Sequence, residues 1–249
     1  MRKITLLTSV LLTAPFAAGN VSAQCVVTQD CATLGYTETS CQNGGIKCPF
    51  GDKWACPNKN INNPDCTYGS YYYSDGTCSK SYTTAKKVIG VVVTVIGNEK
   101  WVISLQNYSE ENWALEDVAV LKNYAKDIYA ATDFKSCENT DAMLALGEDK
   151  YPSAKAARAY YPANAPQTKG KWCLPAAGVL NMITIYQNEI EAAIIQAGGD
   201  SILSARTYFW TSTECDKDLA WSWYALAGDF YIYGKSTLSY LVRPVMKIE

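Results

Sequence analysis

Val88-Ile89-Gly90-Val91-Val92-Val93-Thr94-Val95-Ile96, a turn at Gly97-Asn98, and then Trp101-Val102-Ile103-Ser104-Leu105 form the stretch that decides the fold. β-Branched side chains fit a pleated surface, so the two runs read as a hairpin buried on at least one side. Downstream, Leu115 to Ala131 reads as a helix, with Val118, Leu121, Ala125 and Ile128 at helical spacing. Asn139-Thr140 reads as the cap of a short helix through Leu146, ended by Gly147. Ser153 starts another through Tyr160, ended by Pro162. Pro175 suits the first turn of a helix carrying Val179, Leu180 and Ile183; Ile190, Ile194 and Ala197 mark the next, closed by Gly198-Gly199. Strands then return at Thr207 to Ser212, Ala220 to Leu226, Asp229 to Tyr233 and Tyr240 to Lys247. Helices in the middle and strands at both ends imply an α+β domain over residues 85–249, whose closing strands pair with the opening hairpin.

Upstream of this domain the composition changes. Residues 24–84 are rich in Cys, Asn, Gly, Pro, Tyr and Ser, with turn signals at Gly44-Gly45, Pro49, Pro57, Asn62-Asn63-Pro64 and Asp75-Gly76. Such a segment builds little core and is expected to be a small module held by crosslinks. The aromatic run Tyr71-Tyr72-Tyr73 is expected to lie half packed against a neighbouring disulfide. Residues 1–23 have the order of a signal peptide: Arg2 and Lys3, an uncharged run from Ile4 to Ala18, then small residues ending in Ala23. The apolar run is too brief to cross roughly 30 Å of hydrocarbon, so cleavage before Gln24 is expected. Gln24 stands where a lipobox needs a small residue before Cys25, so no lipid anchor is expected.

The expected destination is therefore extracytoplasmic, in the periplasm, on the cell surface or secreted. The chain has ten cysteines, Cys25, Cys31, Cys41, Cys48, Cys56, Cys66, Cys78, Cys137, Cys173 and Cys215, and no histidine. An even count in an exported chain reads as disulfides. A metal site is not expected, because no CxxC pair and no histidine exist to build one. Lack of histidine also excludes Ser-His-Asp, Cys-His and HExxH machinery within the chain; carboxylate pairs of the glycosidase kind stay open, and no recognised catalytic constellation is visible. Net charge is −2 without a basic cluster, which argues against nucleic acid and anionic membranes as partners. No cofactor is implied.

Several stretches carry a resemblance. Gly170-Lys171-Trp172-Cys173-Leu174-Pro175-Ala176-Ala177-Gly178, Tyr208-Phe209-Trp210-Thr211-Ser212-Thr213-Glu214, Ala220-Trp221 and Val242-Arg243-Pro244-Val245 resemble the C-terminal domain family of collagen-like bacterial adhesins. The resemblance covers about residues 88–249 and implies a C-type-lectin-like fold, with Trp172, Pro175, Trp210, Glu214, Trp221 and Arg243 in structural roles. Val179 departs from the family's usual Glu, and no EPN- or QPD-like triplet supports calcium-dependent sugar binding. The shared motifs are expected to pack together, which pairs Cys173 with Cys215. Seven cysteines precede residue 85 and three follow it, so full oxidation within one chain needs an odd number of bridges between the groups. Cys137 is then left to reach back to the cysteine-rich module. Arg243 is expected to pair with a carboxylate such as Glu214.

Alternation along Ala220 to Leu226 sends Trp221 and Trp223 to the core and Tyr224 outward; by the same rule Phe230 and Ile232 point in while Asp229, Tyr231 and Tyr233 point out. Tyr224, Asp229, Tyr231 and Tyr233, with Asp216 and Asp218 nearby, form the candidate ligand-binding face for a glycan or a surface protein. Three functions follow from this reading. The first is a binding or adhesion module, the second a structural envelope protein without a soluble ligand. The third is a relative of the formylglycine-generating oxidases, which needs reactive cysteines left unpaired; Cys173 and Cys215 are the candidates.

Overall fold

The computed structural model describes residues 66–96, 99–204 and 207–248, with the backbone of residues 46–47 and 54–55. The cleavage site and Cys25, Cys31, Cys41, Cys48 and Cys56 lie outside the described residues. β1 (Ile46–Lys47) pairs with β2 (Trp54–Ala55) in a small hairpin. Next come β3 (Tyr71–Tyr73), β4 (Cys78–Ser79), β5 (Val88–Ile96), β6 (Glu99–Ser104) and β7 (Ser109–Asn112). The middle holds α1 (Asp127–Ala130), α2 (Ser136–Ala145), α3 (Pro152–Ala159), β8 (Trp172–Cys173), α4 (Ala177–Ile183) and α5 (Gln187–Gln196). The chain then returns to strands: β9 (Tyr208–Glu214), β10 (Leu219–Tyr224), β11 (Asp229–Gly234), β12 (Ser239–Val242) and β13 (Val245–Ile248).

These strands form a six-stranded sheet, β4-β3-β5-β6-β13-β8, and a five-stranded sheet, β11-β10-β9-β12-β7. Helices α4 and α5 fill the space between them. Val91, Val93, Trp101 and Ile103 from one sheet meet Leu180, Ile183, Ile190 and Ile194 from the helices, and Phe209 and Trp223 from the other sheet, in one core. Val92 and Val102 point to the opposite side, where Trp172, Met246 and Tyr160 cover them. Burial on both faces is why the opening hairpin reads as an almost unbroken apolar run. Gly90 is required in that hairpin: a Cβ there would come within 2.5 Å of the Ile103 carbonyl oxygen on β6.

The α+β class therefore holds, and the hairpin and the strands after residue 207 stand close to where the sequence places them. Among the described residues, the main sheet runs across the expected boundary at residue 84. β3 pairs with β5, so Tyr71 to Ser79 extend the main sheet, and Cys66 is bridged to Cys78 under the same layer. Tyr71 and Tyr73 are buried in that sheet, with only Tyr72 half exposed.

The helix expected from Leu115 to Ala131 is reduced to Asp127–Ala130. Its backbone donors are captured elsewhere, since Val120 and Leu121 N–H groups both donate to the Glu214 carboxylate and Tyr124 N–H donates to the Glu214 carbonyl. Asn139 and Thr140 lie inside α2 instead of capping it. Their side chains bond to Asp133 and Ser136. Pro175 precedes α4 without entering it, and its carbonyl accepts the Ser212 N–H.

The disulfides also differ from expectation. Cys137 on α2 is bridged to Cys173 on β8, so neither the Cys173–Cys215 pair nor a Cys137 link to the cysteine-rich segment forms. Cys215 is buried beside Trp221, Tyr124 and Ala177. Cys173, one of the two cysteines named for the oxidase reading, is thus bridged.

The expected final strand breaks at Arg243-Pro244 into β12 and β13, which belong to different sheets. Arg243 does not meet Glu214. Fully buried, its Nε donates to Ser104 O at 2.8 Å, Nη1 to Asn107 Oδ1 at 2.9 Å and Asp200 O at 3.0 Å, and Nη2 to Leu105 O at 2.7 Å. Desolvation lowers its pKa to about 10, and Tyr160 close by is pushed up to about 12 by burial.

Two outcomes follow. Arg243→Met, which strands these acceptors in the interior, lowers the unfolding free energy by about 3 kcal/mol or more in denaturant titrations. For Tyr160, the folded pKa lies above the unfolded value of about 10, so its contribution is complete below pH 10 and lost as pH rises through 12. The stability difference between the native protein and Tyr160→Phe, measured by chemical unfolding, therefore shrinks over that window.

Candidate functional site

β10 and β11 form a hairpin in continuous register from Leu219↔Gly234 to Tyr224↔Asp229, turning at Gly228 with φ 74°. β9 lies on its other side, with Tyr224 opposite Tyr208 and Ser222 opposite Trp210. Opposed residues in a sheet share a face, so Tyr208, Trp210, Ser222, Tyr224, Tyr231 and Tyr233 point to the side away from α4 and α5. Trp221 and Trp223 point inward, as the alternation requires. Phe230 is half-buried against the inner core, while Ile232 is 36 % exposed. Its strand is the edge of the sheet, and among the described residues no strand lies beyond it to cover the side chain.

α2 and α3 cover only part of the outer face. They bury Trp210, Ala220 and Val242 together with Trp113, Met143, Ala154 and Ala157. Tyr233 and Tyr240 sit at the rim of that cluster. Beyond the rim the sheet continues uncovered as a tyrosine surface. Tyr208 stacks on Tyr224 with ring centroids 5.0 Å apart, and meets Tyr231 at 5.9 Å, Tyr233 at 5.7 Å and Tyr240 at 5.2 Å. Tyr231 is the most open ring of the group, 39 % exposed, with exposed Asp229 beside it.

The phenols of Tyr208, Tyr231, Tyr233 and Tyr240 are all held above the usual tyrosine range. For Tyr208 the leading cause is its hydrogen bond to Tyr233; for the other three it is desolvation. At neutral pH the surface is therefore uncharged, presenting aromatic faces and hydroxyl groups, with Asp229 at its border.

The structure thus joins Tyr224, Asp229, Tyr231 and Tyr233, and adds Tyr208 and Tyr240. Strand parity is the signal that finds Tyr208, which alternates with Phe209 in the same way that Tyr224 alternates with Trp223. Tyr240 carries no such signal, because β12 joins β9 in a parallel pairing between distant segments. Asp216 and Asp218 do not belong to the face. They lie in the β9–β10 turn, at the opposite end of the hairpin from Tyr224. Asp216 Oδ1 accepts the N–H groups of Asp218 and Leu219, each at 2.8 Å, and Asp218 pairs with Lys217. The Asp216 carboxylate shapes the turn, and that of Asp218 is held in an exposed ion pair.

On the covered part of the outer face lies a charged pair. The Lys235 ammonium contacts Glu214 Oε1, and both side chains are fully buried. Lys235 Nζ also donates to Val118 O at 3.0 Å and Lys217 O at 2.9 Å, and lies 4.8 Å from the centre of the Trp113 ring. The carboxylate takes the Val120 and Leu121 N–H groups as well. Burial raises the pKa of Glu214 and lowers that of Lys235, while their mutual attraction opposes both shifts. A second buried carboxylate, Asp133, accepts from Thr213 Oγ1 and Asn139 Nδ2, each at 2.8 Å, and its pKa is raised by desolvation. These groups are saturated with internal partners and hold the scaffold together. Among the described residues no cluster of His, Cys, Asp or Glu is arranged to hold a metal ion, and no helix is long and apolar enough to cross a membrane.

No protein-family profile matches the chain, and no curated protein is similar to it in sequence. In structure it is similar to a fimbrial protein from Bacteroides ovatus, with a TM-score of 0.50 and 13 % identity over 72 % of this chain. The match spans 48 % of that protein, less than half its length, and the likeness is one of fold.

Removing one member of the buried pair leaves the other charge stranded. Lys235→Met is expected to lower stability by about 3 to 5 kcal/mol, and Glu214→Gln added to it recovers part of the loss. Denaturant unfolding of the two variants checks both statements.

Proposed function

We propose that this chain is an exported binding or adhesion protein that holds a glycan or a protein surface against its tyrosine face. One observation carries the reading: tyrosines from β9, β10, β11 and β12 converge on the part of the outer face that α2 and α3 leave uncovered. Rigid aromatic rings offer large contact area at low cost in side-chain entropy, and their hydroxyls orient whatever packs on them. Sugar rings and protein surfaces both suit such a face.

Bridges at Cys66–Cys78 and Cys137–Cys173 fit an extracytoplasmic protein, since disulfides persist where the environment is oxidising. Similarity in fold to a fimbrial protein supports a role at a surface. Motifs shared with the collagen-like adhesin domain support the same assignment, and with it a C-type-lectin-like ancestry, while the order of residues 1–23 supports removal of a signal sequence before Gln24.

Screening the purified protein against immobilised glycans and surface proteins tests the proposal. Binding to at least one is expected, and replacing Tyr208, Tyr224 and Tyr231 together by Ala abolishes it. Tyr233 is left intact because it packs against the covered cluster. Stability of the triple variant stays within about 2 kcal/mol of the native value. A triple variant that binds as well as the native chain removes the face from the mechanism.

A further inference from the structure

We infer that the open edge of β11 is a self-association surface, on which a second copy of this chain docks antiparallel and joins two five-stranded sheets into one. The two large sheets have four edge strands: β4, β8, β7 and β11. β4 and β8 contain two residues each, too few to template a partner. β7 carries Glu110 and Glu111, so two copies meeting there would repel. β11 has none of these protections. It is six residues long, holds its register with β10 without a bulge, and contains no proline and no charge after Asp229.

Among the described residues no strand pairs with its outer side, and the groups it turns outward follow from the ladder. Lys235 N–H donates to Asp218 O at 3.0 Å, which continues the register in which Tyr231 faces Ser222. Alternation in an antiparallel pair then turns the backbone groups of Asp229, Tyr231 and Tyr233 toward β10. Those of Phe230, Ile232 and Gly234 face away from the sheet; Gly234 O already accepts from Thr237 Oγ1 at 3.4 Å, which leaves Phe230 and Ile232 as the pairing row. Exposed Tyr231 and Ile232 lie on either side of this row, so both faces of the edge present apolar surface.

The edge is complementary to itself. A twofold axis through Tyr231, normal to the sheet, sets Phe230 opposite Ile232 of the second copy and Asp229 opposite Tyr233 of the second copy. No like charges oppose one another, and each Phe230–Ile232 pair exchanges backbone hydrogen bonds. Pairing in this way also brings the two tyrosine faces edge to edge on one side of a continuous sheet. A multivalent surface then gains from both faces at once. An interface built on one strand buries less than a standard permanent contact, so association is expected in the micromolar range.

Sedimentation velocity of the whole mature chain over roughly 1 to 200 µM tests this. A monomer–dimer equilibrium is expected, weakened at least about tenfold in Ile232→Lys, which places a cation in the row. Glu111→Lys, on the other free edge of the same sheet, leaves the dimer unchanged. A native chain that stays monomeric throughout, or an Ile232→Lys dimer as tight as the native one, overturns the inference. If Ile232→Lys fails to fold, amide exchange on the native protein decides. Protection at Phe230 and Ile232 that rises with concentration supports the edge, and concentration-independent exchange there refutes it.

Discussion

The guanidinium of Arg243 is the point at which the two sheets are fastened to each other. It sits where the chain leaves β12 in one sheet and enters β13 in the other, and its acceptors come from the end of β6, the loop that follows it and the segment after α5. Asp200 Oδ2 in turn accepts the Asn107 N–H at 2.9 Å. A buried cation without a contacting carboxylate is costly, and the cost is offset only when enough oxygens are aimed at it. Here those oxygens are mostly main-chain carbonyls, so the arginine fixes backbone geometry more than it neutralises charge. The helical layer of α4 and α5 is enclosed between sheets whose spacing this contact holds.

A second constraint acts on the outer side. Glu214 and Lys235 gather Val118, Val120, Leu121 and Lys217 around one buried pair, and so give an irregular segment a defined path without helix or strand. That path leads the chain past Trp113 toward the helices that cover half of the five-stranded sheet. The uncovered half is the tyrosine face. Its limits are therefore set in part by buried charge, while its own carboxylate, Asp229, stands exposed at the border.

Much of the architecture is readable from the sequence where the deciding forces are local. The hairpin from Val88 and the strands from Tyr208 to Tyr233 announce themselves through side-chain type and alternation, and Tyr224, Asp229 and Tyr231 fall on the face that alternation assigns them. What fails is whatever depends on a distant partner. Val118, Leu121, Ala125 and Ile128 keep a helical spacing, but a carboxylate more than ninety residues away takes the donors that helix would need. Arg243 meets carbonyl oxygens, which every residue has and no sequence pattern marks. Cysteine pairing likewise follows from which elements touch, and α2 lies against β8. Ile232 obeys its parity yet stays exposed, because strand order decides which strand becomes an edge.

Strand β13 has a further consequence for how the molecule comes into being. Its neighbours are β6 and β8, both made long before it, and it lies between them. Until residues 245–248 have emerged from the ribosome, β8 has no strand to pair with, the six-stranded sheet stops at β6, and the Arg243 clasp cannot close. Pairings of such long sequence separation are slow to find, because the loop they enclose must be ordered before any contact rewards it. A growing chain of this design therefore remains incompletely folded until its last strand has been made, and its two sheets close as one late event.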